Sequence, residues 1–233
     1  MAAGMSDPAP SAAISAEAVA ERAERVRARI SDAGGDLDHV SVVAVTKGFG
    51  PDAVVAAVGA GLVDVGENYA QELIGKAAEL PGDVAPRWHV IGRLQRNKVR
   101  ALAPLVVRWD SVDRWSLGAE IAKRAPGAHV LVQVNVSDEP QKGGCPPDGV
   151  GELVGRLVDA GLPVDGLMAI GATGAPEAAQ PGFALLRRLA DDLDLGVRSM
   201  GMSGDLEVAV REGATEVRVG TALFGPRRSG QAV

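Results

Sequence analysis

The sequence predicts an α/β protein, a single (β/α)8 TIM-type barrel with an additional N-terminal helix. Three observations carry that reading. Eight short apolar runs rich in β-branched residues alternate with amphipathic segments from Val40 to Gly225, and such alternation implies parallel strands joined by right-handed crossovers. Eight units in about 200 residues favour closure into a barrel over an open doubly wound sheet. No Pro/Gly/Ser-rich linker divides the region, so one domain is expected.

Residues 1–15, rich in Ala, Ser and Pro, read as a disordered tail ahead of a single domain over residues 16–228. Glu17–Ile30 carries helix formers, charges and apolar positions at helical spacing and supplies the extra helix. The eight runs are SVVAVTK from Ser41, VDVGENY from Val63, RWHVIG from Arg87, VVRWDSV from Val106, HVLVQVNV from His129, VDGLMAI from Val164, VRSMGMS from Val197 and EVRVGTALFG from Glu216. Between them the expected helices are Pro51–Ala60, Ala70–Leu80, Asn97–Ala103, Arg114–Arg124, Pro147–Ala160, Pro181–Leu193 and Asp205–Glu212. Gly171–Pro181 is polar and rich in Gly and Pro, a loop at the mouth of the barrel.

Composition narrows the function classes. Of 233 residues 46% are hydrophobic and only 3% aromatic, so the core must be built from Val, Ala, Leu and Ile, which suit helices packed on parallel strands. A formal charge of −6 argues against binding phosphate backbones, which needs a basic face to displace counterions. No apolar run approaches the ~20 residues that cross a bilayer, and Met1–Ser15 has neither a basic nor an apolar signal region. The lone Cys145 excludes an intramolecular disulfide, which suits the cytoplasm, and no Cys pair begins a zinc site. His39, His89 and His129 lack the spacing of a helical metal pair, so no metal is expected.

Barrels of this kind build their active sites at the carboxyl ends of the strands. Lys47 follows the apolar run Val42–Val45 with only Thr46 between. That position would hold its amine in a partly desolvated cavity, where the neutral, nucleophilic form is favoured. The plainer alternative is a lysine that snorkels into solvent. The last two runs end in Ser203-Gly204-Asp205 and Gly220-Thr221, hydroxyls and main-chain amides where barrels often bind phosphate. Turn and cap roles would explain the same residues. Together, a Schiff-base lysine on strand one and a phosphate site across the mouth match the aldehyde and phosphate of pyridoxal 5′-phosphate (PLP). Alternation places Arg218 on the strand face of Gly220, inside the barrel. A buried arginine needs an acceptor, and the pyridine nitrogen would supply one.

The chain resembles the YggS/PROSC family of PLP homeostasis proteins from Val42 to Gly225. The resemblance rests on AVTK ending at Lys47, GENYAQE from Gly66, WHVIGRLQRNK from Trp88, VQVNVSDEPQKGG from Val132, GLMAI from Gly166, and SMGMSGDLEVAVREGATEVRVGTALFG from Ser199. It implies a barrel related to the amino-terminal domain of alanine racemase, with PLP on Lys47 and Arg218 facing the pyridine nitrogen. By the same resemblance Ser203, Gly220 and Thr221 hold the phosphate, Asn68 lies beside the ring, and Ser199 is the other candidate for the phosphate hydroxyl. Arg93 and Arg96 stand where the family often has Pro or Ser, and the loop Gly171–Pro181 also departs from its pattern.

An enzyme acting on amino acids needs a base for Cα–H cleavage and an electron sink for the carbanion. Arg218 keeps its own proton and would leave the pyridine nitrogen unprotonated, which weakens the sink. A racemase of the related fold adds a β-domain with a second catalytic tyrosine, whereas the only tyrosine here is Tyr69. The expectation is therefore a monomeric, non-enzymatic cytoplasmic carrier that binds PLP reversibly. Its expected partners are PLP, amino acids and PLP-dependent apo-enzymes, with no nucleic acid and no membrane. A PLP-dependent racemase or lyase is the alternative, and a class I aldolase-like enzyme using Lys47 without PLP is a third reading.

Overall fold

Val42, Val43, Ala44 and Val45 are small or β-branched and tolerate burial on both faces, as a strand between a packed interior and a helix layer requires. In the computed structural model, which describes residues 14–226, they lie in β1 (Ser41–Val45). Seven strands follow: β2 (Asp64–Glu67), β3 (Arg87–Val90), β4 (Val106–Val112), β5 (His129–Gln133), β6 (Val164–Met168), β7 (Val197–Ser199) and β8 (Glu216–Val219). Each pairs in parallel with the next, and β8 returns to β1 from Ser41↔Glu216 to Ala44↔Val219, which closes the barrel. The expected fold class is the observed one, helix α1 (Ala16–Asp32) included.

Helices α2 (Pro51–Gly59), α3 (Ala70–Glu79), α4 (Val99–Leu102), α5 (Trp115–Arg124), α6 (Val150–Asp159), α7 (Gln180–Asp192) and α8 (Leu206–Arg211) connect successive strands. Their apolar faces cover the sheet. Val65, Val90, Trp109, Val132 and Val217 from strands pack with Leu73, Ile121, Leu157 and Leu186 from helices, each such side chain contributing about 1.5–3 kcal/mol on full burial. Trp88 and Trp109 are core residues, and Trp115 lies 4.5 Å beneath the Arg156 guanidinium.

Several boundaries differ from the sequence reading, and two bear on the argument. The Ser15 Oγ caps α1 by accepting from the Ala18 N–H at 3.2 Å, and Ile14 packs on the core. Those two residues of the expected tail therefore belong to the folded body, while residues 1–13 lie outside the described ones. The run from Glu216 to Gly225 is also not one strand. It stops at Val219, where the pairing with β1 ends, and Thr221–Phe224 coil into a short helix, α9, that buries Leu223 and Phe224.

Inside the barrel, toward the amino ends of the strands, the filling is ionic. Arg108 on β4 donates to Asp110 at 2.8 and 3.1 Å and pairs with Glu216 on β8. Because β4 and β8 are not neighbours in the sheet, that pair crosses the interior. His89 continues the network between Asp110 (3.1 Å) and Asp64 (2.9 Å). Burial by itself would pull the His89 imidazole down, but the two carboxylates outweigh it and hold its pKa at about 9.

Candidate functional site

Strand alternation sends Val43, Val45 and Lys47 to the barrel interior and Ala44 and Thr46 toward the helices. Val43 meets Ile91 over Gly66, where an added Cβ would lie 3.0 Å from each, and Ala44 belongs to the core between sheet and helices. Lys47 is half-buried and opens onto a cavity of about 520 Å3 at the carboxyl ends of the strands. That volume falls within the roughly 300–1,000 Å3 usual for small-molecule sites.

Six of the seven residues singled out from the sequence line this one cavity: Lys47, Asn68, Ser203, Arg218, Gly220 and Thr221. Ser199 does not. It is fully buried on β7, and its Oγ and carbonyl oxygen both accept from Arg218 Nη1 at 2.8 Å. Arg218 Nη2 donates to the Ala169 carbonyl at 2.8 Å. Of the five guanidinium N–H groups, two remain without a partner among the described residues, on a side chain that lines the cavity. Burial lowers the pKa of Arg218, yet a guanidinium starts so high that it stays cationic.

The turns after β7 and β8 meet beside Lys47. Because β8 is the neighbour of β1, the Gly220-Thr221 turn stands next to the lysine strand and not across the mouth from it, a consequence of closure that strand order in sequence does not reveal. Gly220 approaches so closely that a Cβ there would lie 3.1 Å from the Val45 carbonyl oxygen. Ser203 Oγ accepts from the Ala222 N–H at 3.3 Å. Helix α1 braces both turns: Arg29 donates to the Ser203 carbonyl at 3.0 Å while paired with Glu207, and Arg22 donates to the Leu223 carbonyl at 3.0 Å. Phe49 and Phe224 pack at 5.3 Å between ring centroids and tie the lysine turn to α9.

Further residues complete the wall. Gln133, Gln141 and Lys142 come from the β5 end, Tyr69 from the β2 end, and Arg93 from the β3 end. Lys142 Nζ is anchored by Glu139 and by the Gly171 carbonyl. Its only signal in the sequence is a lysine before two glycines just past a strand, too common a pattern to single out. Cys145 is buried, and burial foremost pushes its thiol up to about 11, which makes it unreactive at neutral pH. Among the described residues no group of His, Cys, Asp and Glu could hold a metal ion, and no helix is long and apolar enough to cross a membrane.

The donor set suits PLP. An amine for the aldehyde, hydroxyls and a main-chain turn for the phosphate, and a guanidinium with N–H groups to offer the ring nitrogen line a single cavity of adequate size. The aldehyde and the phosphate arm sit on adjacent ring carbons, which matches candidate partners on the adjacent strands β1 and β8.

Comparison with known proteins agrees. The family model "Alanine racemase, N-terminal domain" matches residues 14–228. A curated protein of Pseudomonas aeruginosa, named pyridoxal phosphate homeostasis protein, is 45% identical over 225 residues, covering 92% of this chain and 96% of that one. The chain belongs to the family of pyridoxal phosphate homeostasis proteins. PipY of Synechococcus elongatus has been solved with PLP bound; its structure matches with a TM-score of 0.80 at 33% identity, over 89% of this chain and all of that one. The D-threo-3-hydroxyaspartate dehydratase of Delftia sp. shares the fold, with a TM-score of 0.69 at 17% identity over 93% of this chain and 61% of its own.

Proposed function

We propose that this protein binds PLP as a reversible Schiff base on Lys47 and supports its supply to other enzymes in the cytoplasm. The meeting of Lys47, Arg218, Ser203 and Thr221 in one cavity carries the reading, and the PLP-bound structure of the related PipY supports it. When bound, the cofactor supplies an aldehyde to which Lys47 Nζ adds, its oxygen leaving as water, and the same bond reverses by hydrolysis or exchange with another amine. Ser203, Thr221 and the main chain at Gly220 hold the phosphate. Ser199 acts one step back, by orienting Arg218. Arg218 donates to the ring nitrogen and keeps it unprotonated, and Asn68 borders the ring. A single domain over residues 14–228 does this as a monomer, with amino acids and PLP-dependent apo-enzymes as its partners.

The cavity wall favours a carrier over a racemase or lyase. Among the described residues that line it there is no carboxylate and no imidazole; besides Lys47, the groups there able to move a proton are Tyr69, which is 52% exposed, and Lys142, whose ammonium is already paired with Glu139. Borohydride reduction of the protein with PLP, followed by peptide mapping, tests the central assignment. Label on Lys47, and its loss in a Lys47→Ala variant of unchanged circular dichroism, is the expected result. Label on Lys76, Lys98 or another lysine in the wild type would overturn it.

A further inference from the structure

Behind Lys47, on the helix side of the sheet, lies a cluster of buried charges that the cavity chemistry does not use. Thr46 Oγ1 donates to Glu67 Oε1 at 2.7 Å. Lys76 Nζ, reaching in from α3, pairs with Glu67 and with Glu72 (3.2 Å), and donates to the Thr46 carbonyl at 2.8 Å. Glu72 Oε2 also accepts from the Gly48 N–H at 2.8 Å. Lys76 is 5% exposed and Glu67 1%.

The two main-chain groups held here are not arbitrary. The Thr46 carbonyl belongs to the peptide unit before Lys47, and the Gly48 N–H to the unit after it. Fixing both planes fixes the φ and ψ of Lys47, the only soft main-chain torsions at that residue. Gly48 has φ of +74°, which a side chain would disfavour, and this lets the chain turn sharply once the lysine has been presented. Burying one ammonium with two carboxylates is a poor way to gain stability, because desolvation offsets most of the attraction and apolar residues would hold α3 as well. Burial in fact pushes the Glu67 carboxyl up despite its partners, and Glu67 Oε2 and Glu72 Oε1 have no hydrogen-bond partner among the described residues.

We propose that Lys76, with Glu67 and Glu72, is a positioning device that clamps the peptide units on both sides of Lys47 and so directs its amine into the cavity. This rests on the reading of Lys47 as the cofactor lysine. The test uses the full chain and the variants Lys76→Met and Glu72→Gln, titrated with PLP and with 4′-deoxypyridoxine 5′-phosphate, which keeps ring and phosphate but has no aldehyde. Hydrogen exchange at the Gly48 amide is followed in the absence of either ligand.

Both variants should exchange Gly48 about tenfold faster and bind PLP about tenfold more weakly, the loss expected of one charge-assisted hydrogen bond. The deoxy compound should bind as before. Equal weakening of both compounds, unchanged PLP affinity or unchanged Gly48 exchange would overturn the proposal. If Lys76→Met does not fold, Glu72→Gln carries the same readouts with Lys76 in place. If PLP labels no lysine of the wild type, the cofactor reading fails by itself, and Gly48 exchange still decides whether the cluster clamps this turn.

Discussion

Replacing Ser203 by Ala separates a phosphate ligand from an ordinary turn residue. In the protein, the Ser203 hydroxyl makes one weak contact, accepting from the Ala222 N–H at 3.3 Å. Its loss should lower stability by no more than about 0.5–1 kcal/mol, a shift in melting temperature of roughly 1–4 °C for a domain of this size. A hydroxyl donating to a phosphate dianion contributes more, about 1.5–3 kcal/mol, or roughly 10- to 150-fold in affinity. Thr221 offers a second hydroxyl in the same cavity, so the lower end of that range is expected. Titrating wild type and Ser203→Ala with PLP and with unphosphorylated pyridoxal, by near-visible absorbance, gives the ratio directly. PLP should weaken about tenfold and pyridoxal hardly at all. Equal losses for both ligands would refute the phosphate role and return Ser203 to the status of a turn residue.

Two further outcomes follow from the geometry. If Arg218 keeps the ring nitrogen unprotonated, stoichiometric protein with PLP should incorporate solvent deuterium into the Cα of alanine or serine no faster than free PLP does; rapid, stereospecific exchange by NMR would make the racemase reading the better one. The His89 imidazole, held at about 9 against an ordinary 6.5, binds its proton more tightly in the folded chain, and the raised pKa is worth roughly 3 kcal/mol. That stability is complete below about pH 6.5, declines as pH rises and is gone above about 9. Urea midpoints between pH 6 and 10 should therefore fall more steeply for wild type than for His89→Gln, and parallel pH profiles would contradict the buried ion network.

Much of this was legible in the chain because it depends on short periods. The apolar run Val42–Val45 marks a strand that ends just before Lys47, and two-residue alternation puts Arg218 and Gly220 on one side of β8. Regular spacing of strand and helix patterns implies parallel crossovers, and eight of them suit a closed barrel. Local pattern has no access to which strand ends become neighbours. Closure sets the Gly220-Thr221 turn beside β1, and it brings Arg108 to Glu216 across 108 residues of sequence. It also lets helix α3 pass Lys76 behind the lysine turn, and it leaves Ser199 behind Arg218 while Ser203 reaches the cavity. The sequence by itself determined the repeating elements and the place of Lys47 at a strand end, since these follow from the local pattern of apolar and polar residues. Only the tertiary structure decided which charges neutralise one another and which hydroxyl lines the cavity, since these depend on distances between segments far apart in the chain.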